Sequence, residues 1–149
     1  MTREQTRAAQ TFEHVSALDR EAQNLVDNAG PEEKGKAELA ARALRTRYGT
    51  FAHKLPALLR TAGLCQALHF LDARDKAEAE RLLGHLASQL RRIDPEIEPG
   101  PGGLLARVRS APLHAYLRLS REALAVATWY SRLSRSVLKV EPGADEDRS

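Results

Sequence analysis

Arg118, Arg121, Arg132 and Arg135 are the residues whose type and spacing point most directly to chemistry, and that chemistry is anion binding. At about 100° per residue on a helix, Arg118 and Arg132 fall within ~40° of each other, as do Arg121 and Arg135. His114 and Lys139 share the same sector. The stripe covers about 25 residues, roughly 38 Å at 1.5 Å per residue. Each guanidinium is a planar fork able to donate two hydrogen bonds to a phosphate, so a row of forks follows a sugar-phosphate backbone without reading bases. A solvated helix face is the plainer account of charged residues. Such a face usually interleaves Glu with Lys for pairing one turn apart, and this one has almost no acid.

A second basic block strengthens the reading. Residues 39–71 carry Arg42, Arg45, Arg47, Lys54 and Arg60 with no acid, and residues 103–140 carry seven bases against Glu122 alone. The segments 1–38, 72–98 and 141–149 are net acidic, so the formal charge of +3 conceals two potential anion-binding surfaces.

Catalytic arrangements are weak by comparison. The histidines at 14, 53, 69, 85 and 114 never fall three to five apart, so helical zinc spacings are missing. The GPGG at 100–103 follows no strand and reads as a turn. The Arg-x4-6-His signature of metal-independent HEPN ribonucleases occurs as Arg109 or Arg107 with His114, Arg47 with His53, and Arg7 with His14. With this much arginine, about two such matches arise by chance. His53 and His69 read as half-buried helix residues, and Cys65, in an apolar stretch, as a small core residue rather than a nucleophile.

The elements that must position these groups are helices. The 149 residues include 24 Ala and 22 Leu but six Val and two Ile, which disfavours a large sheet. Periodicity predicts a first helix over 3–27, with Ala8, Phe12, Val15, Ala22, Leu25 and Val26 as its apolar stripe, stopped by Asn28, Gly30 and Pro31. A second helix over 33–48 is expected to end at Tyr48-Gly49. The dense apolar run Leu55 to Leu71 forms a central helix, with Pro56 and Gly63 as weak points. A fourth helix, 75–92, presents Ala79, Leu82, Leu83, Leu86 and Leu90. The Pro/Gly-rich connector 94–103 leads to a short helix over 103–110. From Pro112 to about Leu138 runs the final and longest helix, with Tyr116, Leu119, Ala123, Val126, Tyr130, Leu133 and Val137 as its seam.

The expected architecture is therefore all-α, one bundle of five to six helices over residues 1–140 with a long C-terminal helix. A disordered acidic tail is expected over 141–149. One cysteine excludes an internal disulfide, and the longest apolar stretches, about five residues, fall short of the ~20 that span a bilayer. Together with the lack of an apolar leader in MTREQTRAAQTF, these features predict a cytoplasmic protein without membrane contact.

Two stretches carry a family resemblance. In YGTFAHKLPALLRTAGLCQALHFLDAR, residues 48–74, the informative positions are Tyr48-Gly49, Leu55-Pro56, Gly63-Leu64, Gln66-Ala67-Leu68 and Phe70-Leu71. In YLRLSREALAVATWYSRLSRSVL, residues 116–138, they are Tyr116, Leu119, Glu122-Ala123-Leu124 and Trp129. Both resemble the small helical subunit of the type III-B CRISPR effector, the Cmr complex. The chain departs from that pattern at Ala62, where asparagine is common, and at Arg74, where lysine is. The resemblance implies a non-catalytic subunit without cofactors. Copies of it would stack along an RNA-guided filament, beside the backbone subunits that hold the guide RNA and between the large subunit and the distal end, against guide and target RNA. The candidate RNA-binding residues are Arg42, Arg45, Arg47, Lys54, Arg60, Arg118, Arg121, Arg132, Arg135 and Lys139. A helical module for acidic protein partners and a HEPN-like ribonuclease are the alternatives.

Overall fold

Thr2 opens the first helix with a reciprocal cap: its hydroxyl accepts from the Gln5 N–H at 3.0 Å, and the Gln5 side chain accepts from the Thr2 N–H at 2.8 Å. The computed structural model describes residues 1–144 and contains six helices: α1 (Arg3–Asp27), α2 (Lys34–Ala62), α3 (Leu64–Ala73), α4 (Ala77–Arg91), α5 (Pro101–Ser110) and α6 (Leu113–Ser136). No strand occurs among the described residues, as the scarcity of Val and Ile predicts. Residues 145–149 of the expected acidic tail lie outside the described residues.

The largest departure from expectation is α2. It does not stop at Tyr48-Gly49 but runs for 29 residues, passing through Gly49 and Pro56. Pro56 removes one N–H and leaves the Ala52 carbonyl without its usual intrahelical donor, which a helix held on several sides tolerates. Gly49 is a packing notch, not a cap: a Cβ there would lie 2.7 Å from the Val140 side chain. The true break is Gly63, whose φ of 86° only glycine adopts without strain, and it separates α2 from α3. α6 has 24 residues, so α2 and the 25-residue α1 both exceed the helix expected to be longest.

α2 is the central element and packs on α6, α1, α4 and α3. Its Tyr48, Ala52 and Leu55 meet Val15 and Leu18 of α1, Leu82 and Leu86 of α4, and Leu119, Val126 and Tyr130 of α6 in one core. The predicted inner face of α4 is buried throughout. On α1 the buried stripe is Thr11, Val15, Leu18 and Ala22, while Phe12 and Leu25 face solvent, contrary to expectation. The 92–100 connector is pinned by Asp94, which accepts from Arg107 Nε at 2.9 Å, and by buried Ile97, whose carbonyl accepts from Arg91 at 2.8 Å.

Beyond α6 the chain reverses at Lys139, where φ is 62°, and returns Leu138 and Val140 to the core. Residues 142–144 form a turn, with Ala144 packed against the core.

Candidate nucleic-acid interface

The buried face of α6 consists of Ala115, Leu119, Ala123, Val126, Ala127, Tyr130 and Ser134. Arg118, Arg121, Arg132 and Arg135 lie on the other side of the helix, away from that face, as the angular argument requires. Arg132 lies over the Trp129 ring, 5.5 Å from its centroid, and Trp129 Nε1 donates to Glu4 at 2.7 Å. That indole N–H and then Arg7 hold the Glu4 carboxyl below its ordinary value. Arg135 pairs with Glu141 at 3.0 Å, but both side chains are more than 60% exposed, so the pair contributes little and leaves the guanidinium accessible. Lys139 departs from the predicted stripe, because α6 ends at Ser136 and the chain has already turned.

At the N-terminal half of α6 the stripe opens into a cleft of about 470 Å³ lined by Arg3, Arg7, Arg92, Ile93, Arg118, Arg121 and Glu122. Glu122, the single acid of the 103–140 block, is held in a fork-to-fork pair: Arg7 Nε donates to Oε2 at 2.8 Å and Nη2 to Oε1 at 2.7 Å. That bond, and the further one to Glu4 at 3.0 Å, hold the Arg7 guanidinium well above its ordinary value against the opposing effect of burial. Arg3 and Arg92 escape the sequence reading, and Arg7 enters it only through the ribonuclease signature, because all three sit in segments whose net charge is negative. The signal that was available is the four-residue step from Arg3 to Arg7, which puts both on one face of α1.

The second basic block is dispersed. Arg45 Nε donates to Asp19 at 2.8 Å, and Arg47 lies 3.9 Å from Glu78, so neighbouring helices supply the acids that the segment lacks. Lys54 and Arg60 are exposed at the surface of α2. Arg42, Arg45 and Lys139 do converge, on a cleft of about 570 Å³ that also holds Glu38 and Gln23. The two blocks thus touch through Lys139 but do not merge into one basic face.

The histidines are largely committed to the interior. His14 and His85 stack with centroids 4.2 Å apart; His14 Nδ1 meets the Tyr130 hydroxyl at 2.6 Å, and His85 Nδ1 meets the Tyr48 hydroxyl at 2.7 Å. Burial pushes both imidazoles down, His85 to about 3, and both phenols up. His53 Nε2 donates to the Val140 carbonyl at 2.7 Å, with Nδ1 2.8 Å from Ser131. Arg109 approaches His69 at 3.4 Å, while Arg107 is paired with Asp94 and Glu96. Among the described residues, no group of three or more His, Cys, Asp or Glu is placed to hold a metal, and no helix is long and apolar enough to cross a membrane.

Fold and site together define an all-α protein with a row of exposed arginines on α6 and with His14, His53 and His85 engaged by interior partners. The chain belongs to the Cmr5 family: the family model for CRISPR-associated protein (Cas_Cmr5) matches residues 3–137. It is 41% identical over 95 residues to the CRISPR system Cmr subunit Cmr5 of Thermus thermophilus, covering 64% of this chain and 78% of that one. The X-ray structure of a CRISPR-associated Cmr5 family protein, also from Thermus thermophilus, is similar with a TM-score of 0.67 at 30% identity, covering 95% of this chain and all of that one. The resemblance carried by residues 48–74 and 116–138 is borne out.

Proposed function

We propose that the protein is a non-catalytic structural subunit of an RNA-guided type III-B CRISPR effector, acting in antiviral defence. It stacks along the filament and holds guide and target RNA through the outer face of α6. The observation that carries this reading is the set of four arginines on α6 that lie away from its buried seam. Base pairing between guide and target would supply sequence recognition, leaving the protein to read backbone charge and shape. A subunit without catalysis fits three of the four Arg-x4-6-His candidates: His14 and His53 are held by interior partners, and Arg107 is held by carboxylates. Arg109 with exposed His114 is the remaining one, and RNA cleavage lost in His114→Ala would overturn the reading.

The test is the salt dependence of RNA binding. Each phosphate contact to a single strand contributes about −0.7 to the log-log slope, so replacing Arg118, Arg121, Arg132 and Arg135 by Ala flattens it by up to about 2.8 units. Helicity is retained, since none of the four packs in the seam. Labelled RNA incubated with the protein is expected to be recovered intact with or without divalent ions. An unchanged slope would reassign α6 to acidic protein neighbours.

A further inference from the structure

We propose that the cleft between α1, the end of α4 and α6 seats backbone phosphates of a single RNA strand, with Arg3, Arg92, Arg118 and Arg121 as the contacting groups. The proposal rests on the RNA-binding reading of α6 and adds two arginines that lie outside that helix. Five arginines and one glutamate line the cleft. The glutamate is spent, because both Glu122 oxygens accept from Arg7. None of the other four arginines has a carboxylate partner among the described residues, so four positive charges converge on one concavity without an internal counterion. Arginines without a carboxylate ion pair among the described residues occur elsewhere too, Arg20, Arg42 and Arg60 among them, whereas Arg45, Arg81 and Arg107 each have a carboxylate within 3.0 Å; what distinguishes the cleft is that four unpaired guanidiniums line it together. Convergence without compensation is the arrangement that an incoming anion relieves.

Chemistry and shape narrow the anion. Guanidinium forks match phosphate oxygens bidentately, and a volume of about 470 Å³ exceeds what one phosphate fills, leaving room for the adjoining sugar. Half-buried Ile93 offers that sugar an apolar wall. The Arg7–Glu122 fork ties α1 to α6, so two walls of the cleft stand on packed helices, and Arg92 and Ile93 come from the turn that directly follows α4. Arg118 and Arg121 also begin the stripe that continues to Arg132 and Arg135. A strand leaving the cleft therefore meets the next cations along α6, roughly 20 Å further on.

The experiment measures anisotropy of labelled single-stranded RNA with the full chain across a salt series, with circular dichroism confirming that each variant folds. R3A/R92A removes cleft cations that are off the stripe, R132A/R135A removes stripe cations that are off the cleft, and R20A/K36A removes the same charge elsewhere. R3A/R92A is expected to make the slope shallower by about 1.4 units, R3K/R92K to retain most of it, and R20A/K36A to leave it unchanged. Millimolar inorganic phosphate at constant ionic strength is expected to leave the RNA bound. If R3A/R92A behaves as wild type while R132A/R135A flattens the slope, the cleft is off the RNA path and only the α6 reading survives. If neither pair matters, both readings fall. Displacement by inorganic phosphate would make the cleft a free-anion site. Loss of co-purification with the other complex subunits at unchanged RNA slope would make it a contact for an acidic protein. Either result overturns the proposal.

Discussion

Gly49 occupies the middle of α2, where helix propensity alone favours alanine by about 1 kcal/mol. Propensity loses here because the Val140 side chain fills the space a methyl would need. Forcing the methyl in costs about 1–3 kcal/mol in a close-packed interior, which outweighs the propensity gain. Gly49→Ala is therefore expected to lower the unfolding free energy by up to about 2 kcal/mol in a denaturant titration. In a Val140→Gly background the same change should be neutral or stabilising, and an equal loss in both backgrounds would show that Val140 is not the obstacle. The sequence shows a glycine after an aromatic residue at the end of an Ala-rich run, which is how a helix cap also looks. What distinguishes notch from cap is a contact with Val140, far along the chain, and no local pattern encodes it. Gly63 carries the complementary lesson, since its breaking role follows from backbone geometry alone and is visible in sequence.

Four helices meet at one buried polar chain. His14 of α1 stacks on His85 of α4, Tyr130 of α6 holds the first imidazole and Tyr48 of α2 the second, and Gln89 Nε2 donates to the Tyr130 hydroxyl at 3.2 Å and to Thr11 at 2.8 Å. Burial lowers His85 from 6.5 to about 3 and lowers His14 as well, so between these values the unfolded chain binds more protons than the folded one. Stability is then full above about pH 6.5 and falls as pH drops toward the folded values. At pH 5 His85 alone accounts for a loss on the order of 2 kcal/mol relative to pH 7. Glu4 and Glu21, held below the ordinary carboxylate value of 4.5, begin to cost stability only near and below that pH, so the window from 6.5 to 5 isolates the histidines. Melting curves across that window should show a decline that shrinks in His85→Phe; an identical decline in the variant would remove His85 as its source. At this scale the helices were legible because the apolar faces of α4 and α6 repeat at three and four. The cleft was not, because Arg3 of α1 and Arg92 after α4 meet Arg118 only through the packing of three separate helices.

Over the whole molecule, cationic surface and unpartnered apolar side chains are distributed unevenly. Leu113 and Leu117, one turn apart on α6, are 72% and 48% exposed, and Leu39 on α2 is 69% exposed. A two-fold dimer buries one self-complementary patch. Stacking in a filament instead joins two different faces of successive copies, and such heterologous contacts propagate without closing. Between free copies the arginines of α6 and its cleft oppose close approach, and bound RNA would neutralise them. The isolated protein is accordingly expected to sediment as a monomer or a weakly self-associating species whose mean mass rises with concentration. Stable assembly is expected only on co-expression with the backbone and large subunits. Two measurements check this: sedimentation equilibrium of the purified chain across a concentration series, and affinity capture of the tagged chain from the co-expressing host. A tight dimer of constant mass would replace stacking by a closed two-fold interface. Failure of the other subunits to co-purify would remove the assignment to the complex, whatever the RNA affinity of the isolated chain.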